Sequence, residues 1–243
     1  EMMRLLLGSG GLRTPERRQI YFEEMSLIFE DCNEVVFIPY ASSNHIDYTE
    51  RLSEFSAPSG IVLRNIDEFE NPIAAIEQAE GLYVGGGNTF LLTQKLHANG
   101  LIEVVRKRVI EGMPYMGVSA GSNVACPTMQ TTNDMPIVNL ESFKTFDLVP
   151  FQINAHYHDG NIWLKDGDEF EPHFGETRTQ RIQEFHEHNQ QSVIGLWEGA
   201  FLRWEDDQGL LLGGNATVFH PGEQPVTHQK GVIFNRQLFI HLR

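Results

Sequence analysis

Cysteine is scarce in this chain: Cys32 and Cys126 are the two among 243 residues. That excludes a disulfide framework and points to a reducing, cytoplasmic setting. Long apolar runs are missing too. No window approaches the roughly 20 consecutive apolar residues that a spanning helix needs, so no membrane segment is expected. Positive charge is short, with 18 Lys and Arg against 33 Asp and Glu and a formal net charge of −15. Phosphate binding needs a basic footprint, so nucleic acid is not an expected partner. Internal repeats, low-complexity blocks and Pro/Gly-rich linkers are absent, which leaves one domain over residues 1–243, as a monomer or homodimer, as the expectation. No His-Glu-x-x-His occurs. The pairs His156/His158 and His186/His188 could share a strand face, but no cysteine accompanies them, so neither a catalytic metal nor a cofactor is expected.

What is present is alternation. "RLLLGSGG" reads as a strand and a glycine turn. Thr14 and Pro15 then cap and start a helix running toward Asp31. "VVFIPY" is a buried strand, followed by a helical segment over residues 48–55 and a strand over 61–65. "NPIAAIEQAE" has a cap, a proline at its first helical position and helical spacing. "GLYVGGGN" is a strand and a glycine loop, with helices from Thr89 and over residues 101–111, and "PYMGVS" is the next strand. Strand–loop–helix repeated this often predicts an α/β fold: a three-layer arrangement with a mostly parallel central sheet and helices on both faces. From Val193 onward, alternating apolar segments predict a β-rich part packed on the same core. Residues 159–174 show no period and are expected to form an irregular loop.

Ligands of parallel sheets collect at the carboxyl ends of the strands. Two glycine-rich turns fall there, Gly85-Gly86-Gly87-Asn88 and Gly117-Val118-Ser119-Ala120-Gly121. A serine in a tight turn between small residues either caps a helix or stands clear of the sheet as a nucleophile. The first glycine loop fails the dinucleotide spacing and lacks a following Gly-Lys-Ser/Thr. Its other use is an oxyanion hole, in which a bare glycine N–H works beside the N–H of Ala120. A serine nucleophile needs a base, and His156 follows an apolar run that ends near the same edge. The base needs an orienting acid. Asp134, in "TTNDMPIV", and Glu198, in "VIGLWEGAF", are the two candidates.

Several ordered blocks, "VGGGNTF", "GVSAGSNVACPTMQTTNDMPIV", "QINAH" and "GETRTQRI", together resemble the peptidase E family of S51 serine peptidases. The resemblance implies a class I glutamine amidotransferase-like α/β fold and hydrolysis of dipeptides with an N-terminal aspartate. By its motifs Ser119 is the nucleophile, His156 the general base, and Gly87 and Ala120 the oxyanion donors. Asp134 and Glu198 both fall on family positions, with Glu198 the favoured neighbour of His156. Arg178 takes the substrate's aspartyl carboxylate, and Asn88 lies in the substrate-binding loop. An arginine fork suits a small acidic dipeptide and can override an acidic global field locally. Ala155 stands where the family has proline, and residues 157–174 are longer than the family pattern. Two other outcomes remain: a cyanophycinase-like hydrolase of β-aspartyl peptides, and a catalytically silent amidotransferase-like binding domain.

Overall fold

A computed structural model describes residues 2–240. The first half follows the alternation closely. Strand β1 (Arg4–Gly8) leads to helix α1 (Pro15–Ile28), β2 (Val35–Ile38), α2 (His45–Ser56), β3 (Leu63–Asn65), α3 (Pro72–Gln78) and β4 (Leu82–Val84). Then come α4 (Thr89–Ala98), α5 (Leu101–Ile110), β5 (Tyr115–Val118) and the single turn α6 (Ala120–Asn123). Thr14, Asn44, Asn71 and Asn88 cap their helices through side-chain oxygens. The caps at Thr14 and Asn71 are why those two helix starts could be read from sequence, whereas α2 begins at His45, before the expected 48.

The second half runs β6 (Gln152–Tyr157), β7 (Trp163–Asp166), β8 (Glu169–Pro172), α7 (Arg178–His188), β9 (Val193–Trp197), β10 (Phe201–Glu205), β11 (Gln208–Leu212), β12 (Ala216–Phe219), β13 (Val226–His228) and β14 (Ile233–Asn235). The last of the alternating segments expected from Val193 onward ends in residues 241–243, which lie outside the described residues. Two expectations need correcting here. Residues 159–174 are not an irregular loop, because β7 and β8 pair as an antiparallel hairpin. His156 does not sit in a loop after a strand; it lies within β6.

The central sheet has eight strands in the order β14-β11-β10-β1-β5-β4-β2-β3. From β1 to β3 it is parallel, and β10, β11 and β14 extend it antiparallel. The chain moves outward from β1 to β2 to β3, then returns through β4 to β5. Right-handed crossovers therefore place α1 and α2 on one face and α3 to α5 on the other. The alternation of β1 shows the result: Leu6 joins Tyr21 and Met25 of α1 in one core cluster, while Leu5 and Leu7 belong to the core on the other face, together with Leu92, Leu96 and Val105. The face carrying α3 to α5 also carries a second sheet, ordered β13-β12-β9-β6. Ile153, Ile194, Leu196 and Val218 of this smaller sheet join the main core. Its outer side packs on α7 through Tyr157, Phe219 and Ile182.

This topology creates the crevice. The chain leaves β1 toward one face and leaves β4 toward the other, with β5 between them. Such a reversal opens a cleft at the carboxyl ends of the strands.

Candidate active site

Ser119 follows β5 at the middle of the crevice. Its backbone stands at φ 56° and ψ −112°, an uncommon conformation for a residue with a side chain. The turn is possible because its glycines allow backbones to touch. A Cβ on Gly117 would strike the Gly121 carbonyl, and one on Gly121 would strike the Val84 carbonyl. Ser119 N–H donates to Gly8 O at 2.9 Å, and Ser122 Oγ donates to Gly8 O at 2.7 Å. The turn is thus tied to the end of β1. Gly86 lies against Ser119 on the other side, where an added Cβ would be 3.2 Å from Ser119 Cβ. Neither Gly87 N–H nor Ala120 N–H has a protein acceptor among the described residues.

His156 comes from the smaller sheet. Its Nε2 lies 2.9 Å from Ser119 Oγ, and its Nδ1 lies 2.7 Å from Glu198 Oε1. A carboxylate only accepts, so Nδ1 carries the proton and Nε2 offers its lone pair to the serine hydroxyl. Glu198 occupies the short link between β9 and β10, where the chain crosses from the smaller sheet to the central one. Gly199 N–H donates to Gly10 O at 2.8 Å, which ties that link to the loop after β1. A Cβ on Gly11 would overlap Glu198 Oε2, and one on Gly10 would sit 2.6 Å from His156 Cε1. Gly10 and Gly11 therefore form the floor under the histidine and the glutamate.

Asp134 stands apart from His156. Its Oδ2 accepts from Thr89 N–H at 2.7 Å and from Thr89 Oγ1 at 2.6 Å, at the start of α4. Asn88 is equally committed: Oδ1 caps α4 at Leu91 N–H, and Nδ2 donates to Met135 O at 3.0 Å. The segment holding Asp134 thus clasps the end of the glycine loop. Its neighbours cover the free edge of β6, with Thr131 Oγ1 donating to Ile153 O and Asn133 Nδ2 to Ala155 O.

Arg178 opens α7 behind the capping box of Thr177 and Gln180. It is half-buried, and its Nε has no partner among the described residues. Burial pushes the guanidinium below its ordinary value, Arg181 adds to that, and Glu198 opposes it. An arginine fork with a buried unpaired donor, within electrostatic reach of Glu198, is matched to an anion. The two histidine pairs go elsewhere: His158 Nδ1 meets Gly160 O, and His186 Nε2 meets Gln191 O. Among the described residues, no group of three His, Cys, Asp or Glu side chains is arranged to hold a metal ion. No helix there is long and apolar enough to cross a membrane.

The model of peptidase family S51 matches residues 4–212. The chain belongs to that family. Peptidase E of Streptomyces coelicolor is 45% identical over 192 residues, which is 79% of this chain and 76% of that one. Peptidase E of Salmonella newport is 44% identical over 200 residues, 81% and 84% of the two chains. The solved structure of a peptidase from an acI-B1 actinobacterium superposes with a TM-score of 0.69 at 15% identity, covering 96% of this chain and 97% of the other. At that identity the superposition speaks for the fold alone. An S51 chain is a peptidase, and the crevice at Ser119 is where its carboxyl strand ends, glycine loop and polar side chains converge.

Sequence reasoning missed Ser9, Gly10 and Gly11. The loop after β1 was visible as a glycine turn, but its partners lie almost 150 to 190 residues away. The available signal was a run of four small residues, Gly8 to Gly11, ending a strand of a parallel sheet.

Proposed function

We propose that the protein is a serine exopeptidase that hydrolyses dipeptides with an N-terminal aspartate through an acyl-enzyme on Ser119. The observation that carries this is the unbroken contact chain from Ser119 Oγ through His156 to Glu198. Its setting is a chain that belongs to a peptidase family. His156 Nε2 takes the proton as Oγ attacks the scissile carbonyl, and Glu198 stabilises the imidazolium. The N–H groups of Gly87 and Ala120 receive the oxyanion. The imidazolium then protonates the departing amine, and water repeats the sequence on the acyl-enzyme. Arg178 supports the aspartyl preference, because its unpaired Nε offers a charge-assisted donor to the substrate's side-chain carboxylate.

The test is Ser119→Ala on Asp-Leu. Removal of a serine nucleophile costs about four to six powers of ten in kcat. Activity surviving within a few-fold would overturn the mechanism. Cleavage of β-aspartyl peptides with none of Asp-Leu would move the substrate to the cyanophycinase-like class. A serine-directed phosphonate that labels the wild type but not Ser119→Ala supports the acyl-enzyme, and no labelling of either points to a silent domain.

A further inference from the structure

His156 is held in an unusual way. The β6–β9 ladder is regular from Gln152↔Val193 to Asn154↔Gly195, and resumes at Tyr157↔Trp197. Between these pairs, Ala155 and His156 face the single residue Leu196, so β6 bulges by one residue at the histidine. His156 itself has φ 54°, in the left-handed region. A bulge of this kind leaves backbone groups without their ladder partners. Here the gap is closed by a side chain from the loop after β1. Ser9, the first residue after β1 and fully buried, donates from Oγ to Leu196 O at 2.8 Å. The same oxygen accepts from His156 N–H at 2.8 Å. A hydroxyl has one proton and the carbonyl can only accept, so the polarity of the bridge is forced.

We propose that Ser9 is a positioning residue for the general base: its hydroxyl spans the β6 bulge and locks the His156 backbone to the strand that delivers Glu198. Leu196 lies two residues before Glu198, so one oxygen sets the spacing between the two groups that must meet at Nδ1. Ser9 N–H also donates to Ala200 O at 2.9 Å, two residues after Glu198. Ser9 therefore grips both sides of the link that carries the acid. The hydroxyl touches no reacting atom and acts through the backbone of His156 and of the strand leading to Glu198. This proposal rests on the Ser119–His156–Glu198 mechanism above, yet its main readout does not depend on turnover.

The experiment compares Ser9→Ala, which deletes the bridge, with Ser9→Cys, whose thiol is a weak donor and acceptor. The first measurement is the downfield proton resonance of the imidazole N–H that meets Glu198. It is expected in the wild type, weakened in Ser9→Cys and lost in Ser9→Ala. The second is kinetics on Asp-Leu. Misplacement of the base by a fraction of an ångström to an ångström is expected to lower kcat by about a hundredfold, with KM nearly unchanged. The third uses the native protein: the His156 amide should be among the slowest to exchange with solvent. Retained resonance with kcat within threefold in either folded variant would overturn the proposal, as would rapid exchange at His156. Loss of activity with an unchanged resonance would also overturn it, since that is the mark of a merely structural serine. Should Ser119→Ala stay active, the mechanism fails while the resonance and exchange tests still judge Ser9.

Discussion

Glu198 and Asp134 are chemically near-equivalent, and both sit in turns, yet their surroundings give them different tasks. Glu198 lies on the glycine floor and has His156 Nδ1 at 2.7 Å. Asp134 spends its carboxylate on the amide and hydroxyl of Thr89. A residue's type and neighbours in sequence could not separate these roles, because the deciding partners are 42 and 45 residues away. Substitution should separate them. Glu198→Gln removes the charge that fixes the imidazole's tautomer, and kcat is expected to fall by about 10⁴ with little change in thermal midpoint. Asp134→Asn weakens a helix-start contact, which costs about 1 kcal/mol. It should lower the thermal midpoint by about 2–4 °C and reduce kcat far less than Glu198→Gln does. Parallel kinetics and thermal melts decide. The reverse ranking would make Asp134 the orienting acid.

Helices and central strands were legible because their signals are local. Caps, a proline at a first helical position and buried four-residue runs all lie within a few residues of what they specify. The β6 and β7–β8 regions were not. In β6, "QINAH" reads as a strand that stops before the histidine, since the bulge is specified by Ser9 of the loop after β1 and Leu196 of β9. In the hairpin, strand pairing puts Trp163, Pro172, Lys165 and Phe170 on one side and Leu164, Glu171, Asp166 and Glu169 on the other. Neither side carries a clean apolar stripe, so the period is hidden. The hairpin leads directly into α7, and the capping box of α7 fixes the direction in which Arg178 leaves the helix. Arg178→Met keeps the side-chain stem but removes the donors. It is expected to lower kcat/KM for Asp-Leu by about a hundredfold, the scale of one or two charge-assisted hydrogen bonds. Ala-Leu, if cleaved at a measurable rate, should change less than threefold. Equal losses on both dipeptides would remove Arg178 from substrate selection.

At the scale of the whole molecule, the parallel half of the central sheet followed from alternation, whereas the second sheet did not. Pairing β6 with β9 joins segments 41 residues apart, and nothing in either segment names its partner. Net charge, by contrast, is a property that the sequence states outright and that acts over the whole surface. At −15, the field opposes an approaching Asp-Leu, which carries one net negative charge at neutral pH. Asp-Lys is neutral overall and feels little of it. The screening length falls from about 30 Å at 0.01 M ionic strength to about 10 Å at 0.1 M. Long-range repulsion fades over that interval, while the proposed contact between Arg178 and a substrate carboxylate would be shorter than either length and partly sheltered. We therefore expect kcat/KM for Asp-Leu to rise by about two- to threefold across this range, with that for Asp-Lys nearly constant. A fall for Asp-Leu would show that attraction to Arg178 reaches beyond the crevice and outweighs the acidic surface during encounter.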